Sequence, residues 1–168
     1  MSSNSFFRVP SEWVMLVVGT LEQRLGIKIG SAYRREAKEP AHTLITYQVG
    51  ESEPVNHSGN DGRKLHEIEL RFLVEVPTAV RDFDLEALDA STRLERELLN
   101  ERFGCFNDVD DTRLISNIPR KFDPDNGVFL RVVTIKQRIY MGPVGEEWLQ
   151  IVGSSHHDVG VDETPQVA

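Results

Sequence analysis

A chain of 168 residues with one cysteine, Cys105, is long enough to bury a core without metal or disulfide staples, and it cannot form an internal disulfide. Nineteen Lys and Arg against 27 Asp and Glu give a formal charge of -8, which argues against a general nucleic-acid coat. The first residues, Met1 to Phe7, lack the basic start and apolar run of a signal peptide, and the longest apolar run, residues 13–18, is too short to cross a bilayer. A soluble protein made in the cytoplasm is expected.

Pro10-Ser11-Glu12 reads as a helix start with Ser11 as N-cap. Trp13, Leu16, Val17, Thr20, Leu21 and Arg24 follow at helical spacing, and Gly26 sits where a stop belongs. Ile27 and Ile29 open a short strand, followed by a charged connector over residues 33–38. Residues 41–49 alternate, with Ala41, Thr43, Ile45, Tyr47 and Val49 on one side, and predict a second strand. Residues 50–62 are almost wholly polar and rich in turn formers, so a long loop is expected there. Such loops between strands are usually functional or mobile.

Residues 65–76 predict the main strand. Ile68, Leu70, Phe72, Val74 and Val76 fall on one side, and Glu67, Glu69, Arg71 and Glu75 on a wet side. Twelve residues reach roughly 40 Å, longer than the usual strand. Pro77 ends it. Asp82 or Asp84 then caps a helix running to about Phe103, with Gly104 as its stop; Ala87, Leu88, Leu94, Leu98 and Leu99 share its apolar face, with Leu85 and Phe103 at the rim. After an acidic stretch at Asp108, Asp110 and Asp111, residues 112–118 have β character and Pro119 closes them. Asp123 to Gly127 is a turn signal, and residues 128–140 form the last long strand, apolar on both faces and paired with its predecessor as a hairpin. Residues 146–152 read as a short packed element.

The fold expected is α+β: a single mixed or antiparallel sheet of about four main strands, with helices packed on one side. Residues 1–152 form the one domain, and residues 153–168 a flexible or partner-ordered tail.

No residue set carries a catalytic pattern. The phosphate-loop, dinucleotide, zinc-protease and serine-hydrolase motifs are all missing from the sequence. His156-His157-Asp158 lacks the fixed spacing of a metal site, and His42 and His66 sit at strand positions that look solvent-facing. Counted from Asp108 as a calcium loop, the sixth and twelfth positions are Arg113 and Pro119, so that pattern fails. Cys105 has no positioned base and reads as structural. The expectation is no catalytic residue, no metal and no cofactor, and a protein that works through surfaces.

The run from Glu67 through Arg71 to Glu75-Val76-Pro77, then Asp82-Phe83-Asp84-Leu85-Glu86-Ala87-Leu88-Asp89, gives a long alternating strand, an acidic proline-broken link and a helix. With the preceding strand from Ala41, the polar loop and the last strand to Tyr140, this order resembles the bacteriophage tail terminator family over residues 11–140; the C-terminal extension departs from it. The resemblance implies a virion protein of the tail and neck. Its copies form a ring, typically a hexamer, at the head-proximal end of the tail tube, stopping polymerisation and offering a surface for neck and head joining. The partners implied are copies of itself, the tail tube protein, neck or head-tail connector proteins, and the sheath protein where the tail is contractile; no membrane and no sequence-specific nucleic acid are expected. The loop over residues 51–64 is expected to face the lumen or the tube, with Glu51, Glu53, His57, Asp61, Arg63 and Lys64 as partner-binding residues. A head-tail connector, neck or tail completion subunit is the near alternative. A small enzyme or ligand-binding domain without a short motif, or an adaptor domain, lies outside that class.

Overall fold

A computed structural model describes residues 7–36, 38–56 and 62–142; the expectations for His57, Asp61, residues 146–152 and the tail from 153 lie outside the described residues. The elements are helix α1 (Pro10–Leu25), β1 (Gly30–Ser31), a single 3-10 turn at Ala32–Arg34, β2 (Leu44–Val55), β3 (Lys64–Pro77), helix α2 (Phe83–Leu98), β4 (Arg113–Asp123) and β5 (Val128–Met141). The strands form one five-stranded sheet in the order β1-β2-β3-β5-β4. β1 runs parallel to β2 and every other pair is antiparallel, so the α+β class stands, with five strands rather than about four.

The centre of the sheet follows from alternation. β3 and β5 pair over their whole lengths, from Lys64 opposite Met141 to Pro77 opposite Val128. Directly opposed residues share a face. Ile68, Leu70, Phe72, Val74 and Val76 therefore join Val133, Ile135 and Ile139 on one buried side. Both helices lie on that side, their stripes meeting the strands in one core that includes Trp13, Val17, Leu21, Ala87, Leu94 and Leu98.

Several local expectations change. Helix α1 starts at Pro10 with Val9 as its extended N-cap, so Ser11 lies inside the first turn and caps nothing. Proline at the first helical position needs no hydrogen bond for its nitrogen. Gly26 does end the helix, in the left-handed region at φ 66°. β2 starts at Leu44, not Ala41, and continues to Val55, so half of the expected polar loop is strand. The register slips between Val49 and Ser52, and Ser52 to Val55 then pair with Ile68 to Leu65. Polar residues are admissible there because both sides of this stretch meet solvent.

Helix α2 ends at Leu98, five residues short of Phe103. Asn100 and Phe103 take positive φ, and the chain turns back so that Phe103 enters the core. Buried Thr112 fixes the break: its hydroxyl donates to Leu98 O and accepts from Glu101 N at 3.0 Å. The buried face of α2 is Ala87, Ser91, Leu94 and Leu98, whereas Leu85, Leu88 and Leu99 are exposed. Pro119 does not close β4. The strand runs on to Asp123 at the sheet edge, with irregularities beside Leu114 and Pro119. An edge strand accepts proline because one row of its amides has no ladder partner.

Candidate interaction surfaces

The sheet face opposite the helices is built from the other half of the alternation. At the end near Met141, Glu67 on β3 lies between Arg113 Nη2 of β4 (2.7 Å) and Arg138 Nε of β5 (3.2 Å). Burial pushes the Glu67 carboxyl up, and the two guanidiniums outweigh it, holding the group below the usual carboxylate range. The next row holds Glu69 and Lys136, with Glu51 Oε2 at 3.6 Å from Lys136 Nζ. Glu69, expected on a wet face, is buried; Glu67 and Glu75 are half-buried. Arg71 Nη2 approaches Glu69 Oε1 at 2.5 Å, an ion pair without hydrogen-bond alignment. The Glu69 carboxylate lies so close over Gly50 that a Cβ there would overlap it. His66, also expected at the surface, is half-buried opposite Ile139.

Further along the same face the chemistry changes. Thr46, Leu73, Val132 and Ile118 stand side by side across four strands. Leu44 and Leu130 belong to the row beyond, beside Glu75, whose Oε2 accepts from Arg35 Nε at 3.0 Å. Arg35 belongs to the connector after β1, which thereby crosses one end of this face.

The partner-binding residues expected from the sequence do not gather at one place. Glu51 and Glu53 lie on β2 and Lys64 begins β3, all exposed. Arg63 turns inward: Nη1 meets Asp108 Oδ1 at 2.9 Å and Asn107 O at 3.2 Å, and the guanidinium lies 5.1 Å from the Tyr140 ring centroid. The acidic loop is engaged likewise, with Asp111 on Arg102 Nε (2.6 Å) and Val109 bridged to Ile139. Among the described residues no three His, Cys, Asp or Glu side chains converge as metal ligands. Burial, and then Asp108, pushes the Cys105 thiol up, which disfavours a thiolate nucleophile.

Two backbone edges are open among the described residues. β1 pairs with β2 only at Thr46 and Tyr47, leaving Gln48–Val55 free on that side, and β4 ends the sheet on the other. Each edge carries a proline, Pro54 or Pro119, and a register irregularity, features that discourage indiscriminate strand pairing. Between the end of α1, the start of β2 and α2 runs a groove of about 640 Å³, with Leu25, Ile27, Ile45 and Ala90 below and His42 and Arg93 among its polar lining.

The residue that orders this end of the molecule was not singled out from the sequence. Gln137 is fully buried on β5; Oε1 accepts from Trp13 Nε1 at 2.6 Å, and Nε2 donates to Glu101 O at 3.0 Å and Asp110 O at 2.7 Å. A glutamine between Ile135 and Ile139 on an otherwise apolar alternation is the signal that marked it. Asn117 is the second such residue, tying Ser91 and Glu95 of α2 to Arg131 of β5. Neither the protein-family models nor the curated proteins compared with this chain match it.

Proposed function

We propose that this chain is a structural virion protein, a phage tail terminator whose copies close into a ring at the head-proximal end of the tail tube and offer a surface to the neck. The observation that carries the reading is the pair of unlike edges left open among the described residues, Gln48–Val55 of β2 and the whole of β4, on opposite sides of one sheet. A head-to-tail ring needs two different patches on each subunit, and it closes when their rotation sums to a full turn. The exposed Glu51, Glu53 and Lys64 flank the first edge and supply charge for choosing a partner. The family resemblance adds the place of that ring in a tail; the edges alone support self-assembly of any kind.

The test is the mass of the purified chain in solution, together with its presence in tail fractions. A discrete ring that copurifies with tails, with Glu53→Lys and Lys64→Glu variants giving monomers and tails of irregular length, is the expected result. A monomer absent from tails overturns the reading. A ring found on the head side of the particle, with tail length unaffected by its loss, assigns the connector role instead.

A further inference from the structure

We propose that the two open edges are each other's partners: residues 49–53 of β2 in one copy seat against residues 113–116 of β4 in the next. This pairing rests on the self-assembly proposed above and not on the ring's place in a tail. Among the described residues, 48–55 have no neighbour on one side of β2, and β4 has none on its outer side. The charges of the two edges are opposite. The open stretch of β2 carries Glu51 and Glu53 and no base. β4 carries Arg113, Arg120 and Lys121 against Asp123, which Lys121 already engages at 3.2 Å. A two-fold contact would set each edge against its own copy, acid facing acid or base facing base. Charge therefore favours the head-to-tail arrangement.

The register puts matching features at one height on both edges. Val49, Leu70, Ile135 and Leu114 stand in one row across the sheet. Val49 is 42% exposed at one end of that row, and Ile115, next to Leu114, is 46% exposed at the other. The adjoining row runs from Glu51, in the irregularity opposite Glu69, through Lys136 to Arg113. A copy shifted sideways along the sheet therefore brings its Val49 to Ile115 and its Glu51 to Arg113. Three antiparallel pairings separate β2 from β4, so the two strands run in opposite directions and the edges meet antiparallel. The Arg113 side chain is 58% exposed while it holds Glu67, which leaves it able to meet a second carboxylate. The irregularities beside Val49 and at Ile115 limit the length of any main-chain ladder, so side chains choose the partner.

Paired cysteines read the contact directly. β2 and β4 of one chain are three strand spacings apart, about 14 Å, whereas a disulfide needs Cα atoms within about 7 Å. A bridge between positions 49 and 115 therefore joins two copies. In the full chain with Cys105→Ser, the Val49→Cys/Ile115→Cys variant should oxidise to a covalent ladder that ends at the mass of the ring. A mixture of the two single variants should give dimers only, and neither alone should give any. Adding Glu51→Lys to the Val49→Cys copies should lower the dimer yield severalfold, and adding Arg113→Glu to the Ile115→Cys copies should restore it. Circular dichroism checks the fold of these charge variants, and the uncharged cysteine pair decides if either unfolds. Dimers formed by one single variant alone would reveal a two-fold contact and overturn the proposal. So would a ring of normal mass that never cross-links, which leaves the terminator reading standing. A cross-linked ring absent from tails supports this pairing and removes the terminator reading instead. A monomer removes both.

Discussion

Trp13 Nε1 donates to Gln137 Oε1 at 2.6 Å, so the first helix and the last strand are joined inside the core across 124 residues. The same amide holds Glu101 and Asp110 through their carbonyls, which ties the α2–β4 connection to the sheet as well. One buried side chain thus satisfies a buried indole and two partly buried backbone acceptors.

Replacing it by a residue of similar shape isolates the polar contribution. Gln137→Leu leaves the Trp13 N–H and the Asp110 carbonyl without partners, while the Glu101 carbonyl keeps the Thr112 amide at 3.1 Å, and each buried orphan costs about 1–3 kcal/mol. Since the groups relax together, a total loss of roughly 3 kcal/mol is expected, read as a lower urea midpoint. An unchanged midpoint would show that water or a shifted loop replaces the amide at no cost.

The two leucine sites on α2 separate the observed burial from the face suggested by hydropathy. Leu94 is fully buried, and Leu94→Ala should cost about 2–5 kcal/mol through lost contacts and an unfilled cavity. Leu88 is 42% exposed, and Leu88→Ala should stay within about 0.5 kcal/mol. Comparable losses at both would mean that Leu88 is covered in solution by another copy or another segment.

That contrast also indicates what the sequence could reveal. β3 was legible because a long alternation admits one reading, β5 because a long run of β-forming residues follows a turn signal, and Gly26 because a helix end in the left-handed region favours glycine. The burial of Ser91 was not, since a small polar residue leaves no mark in a hydrophobic stripe. Nor was the strand at Ser52–Val55, whose polarity reflects an open edge solvated on both sides. At the candidate surface, the exposed positions of Glu51, Glu53 and Lys64 follow from a polar run. The inward turn of Arg63 depends on Asp108, which lies 45 residues away and is brought near only by the β5 register.

Cys105 should behave as a poor nucleophile. It is half-buried, and burial and Asp108 both disfavour its thiolate. Since the thiolate is the reactive form, labelling by a disulfide reagent in mildly alkaline buffer should be slow in the native protein and fast in urea. Equal rates in the two conditions would contradict the burial.

Acid should loosen the joint between the two helices. Arg24 Nη1 of α1 lies 2.9 Å from Glu101 Oε2 just beyond α2, while Glu101 Oε1 accepts from the backbone N–H groups of Arg102 and Phe103. The hydrogen bond from Arg24 is the main influence; opposed by burial and aided by those amides, it holds the Glu101 carboxyl below its ordinary value of 4.5. A carboxylate depressed in the folded state binds its proton more readily when unfolded, so its stabilisation is complete above 4.5 and is lost as pH falls through the lower folded value. Glu67, shared by Arg113 and Arg138, is depressed too and adds to the same slope. Urea midpoints measured downward from neutral pH should therefore fall below pH 4.5 in the wild type. Glu101→Gln should be weaker at neutral pH yet flatter in acid, because the titrating group is gone. A parallel acid slope in that variant would move the linkage to other carboxylates and leave the Arg24 contact as an ordinary surface pair.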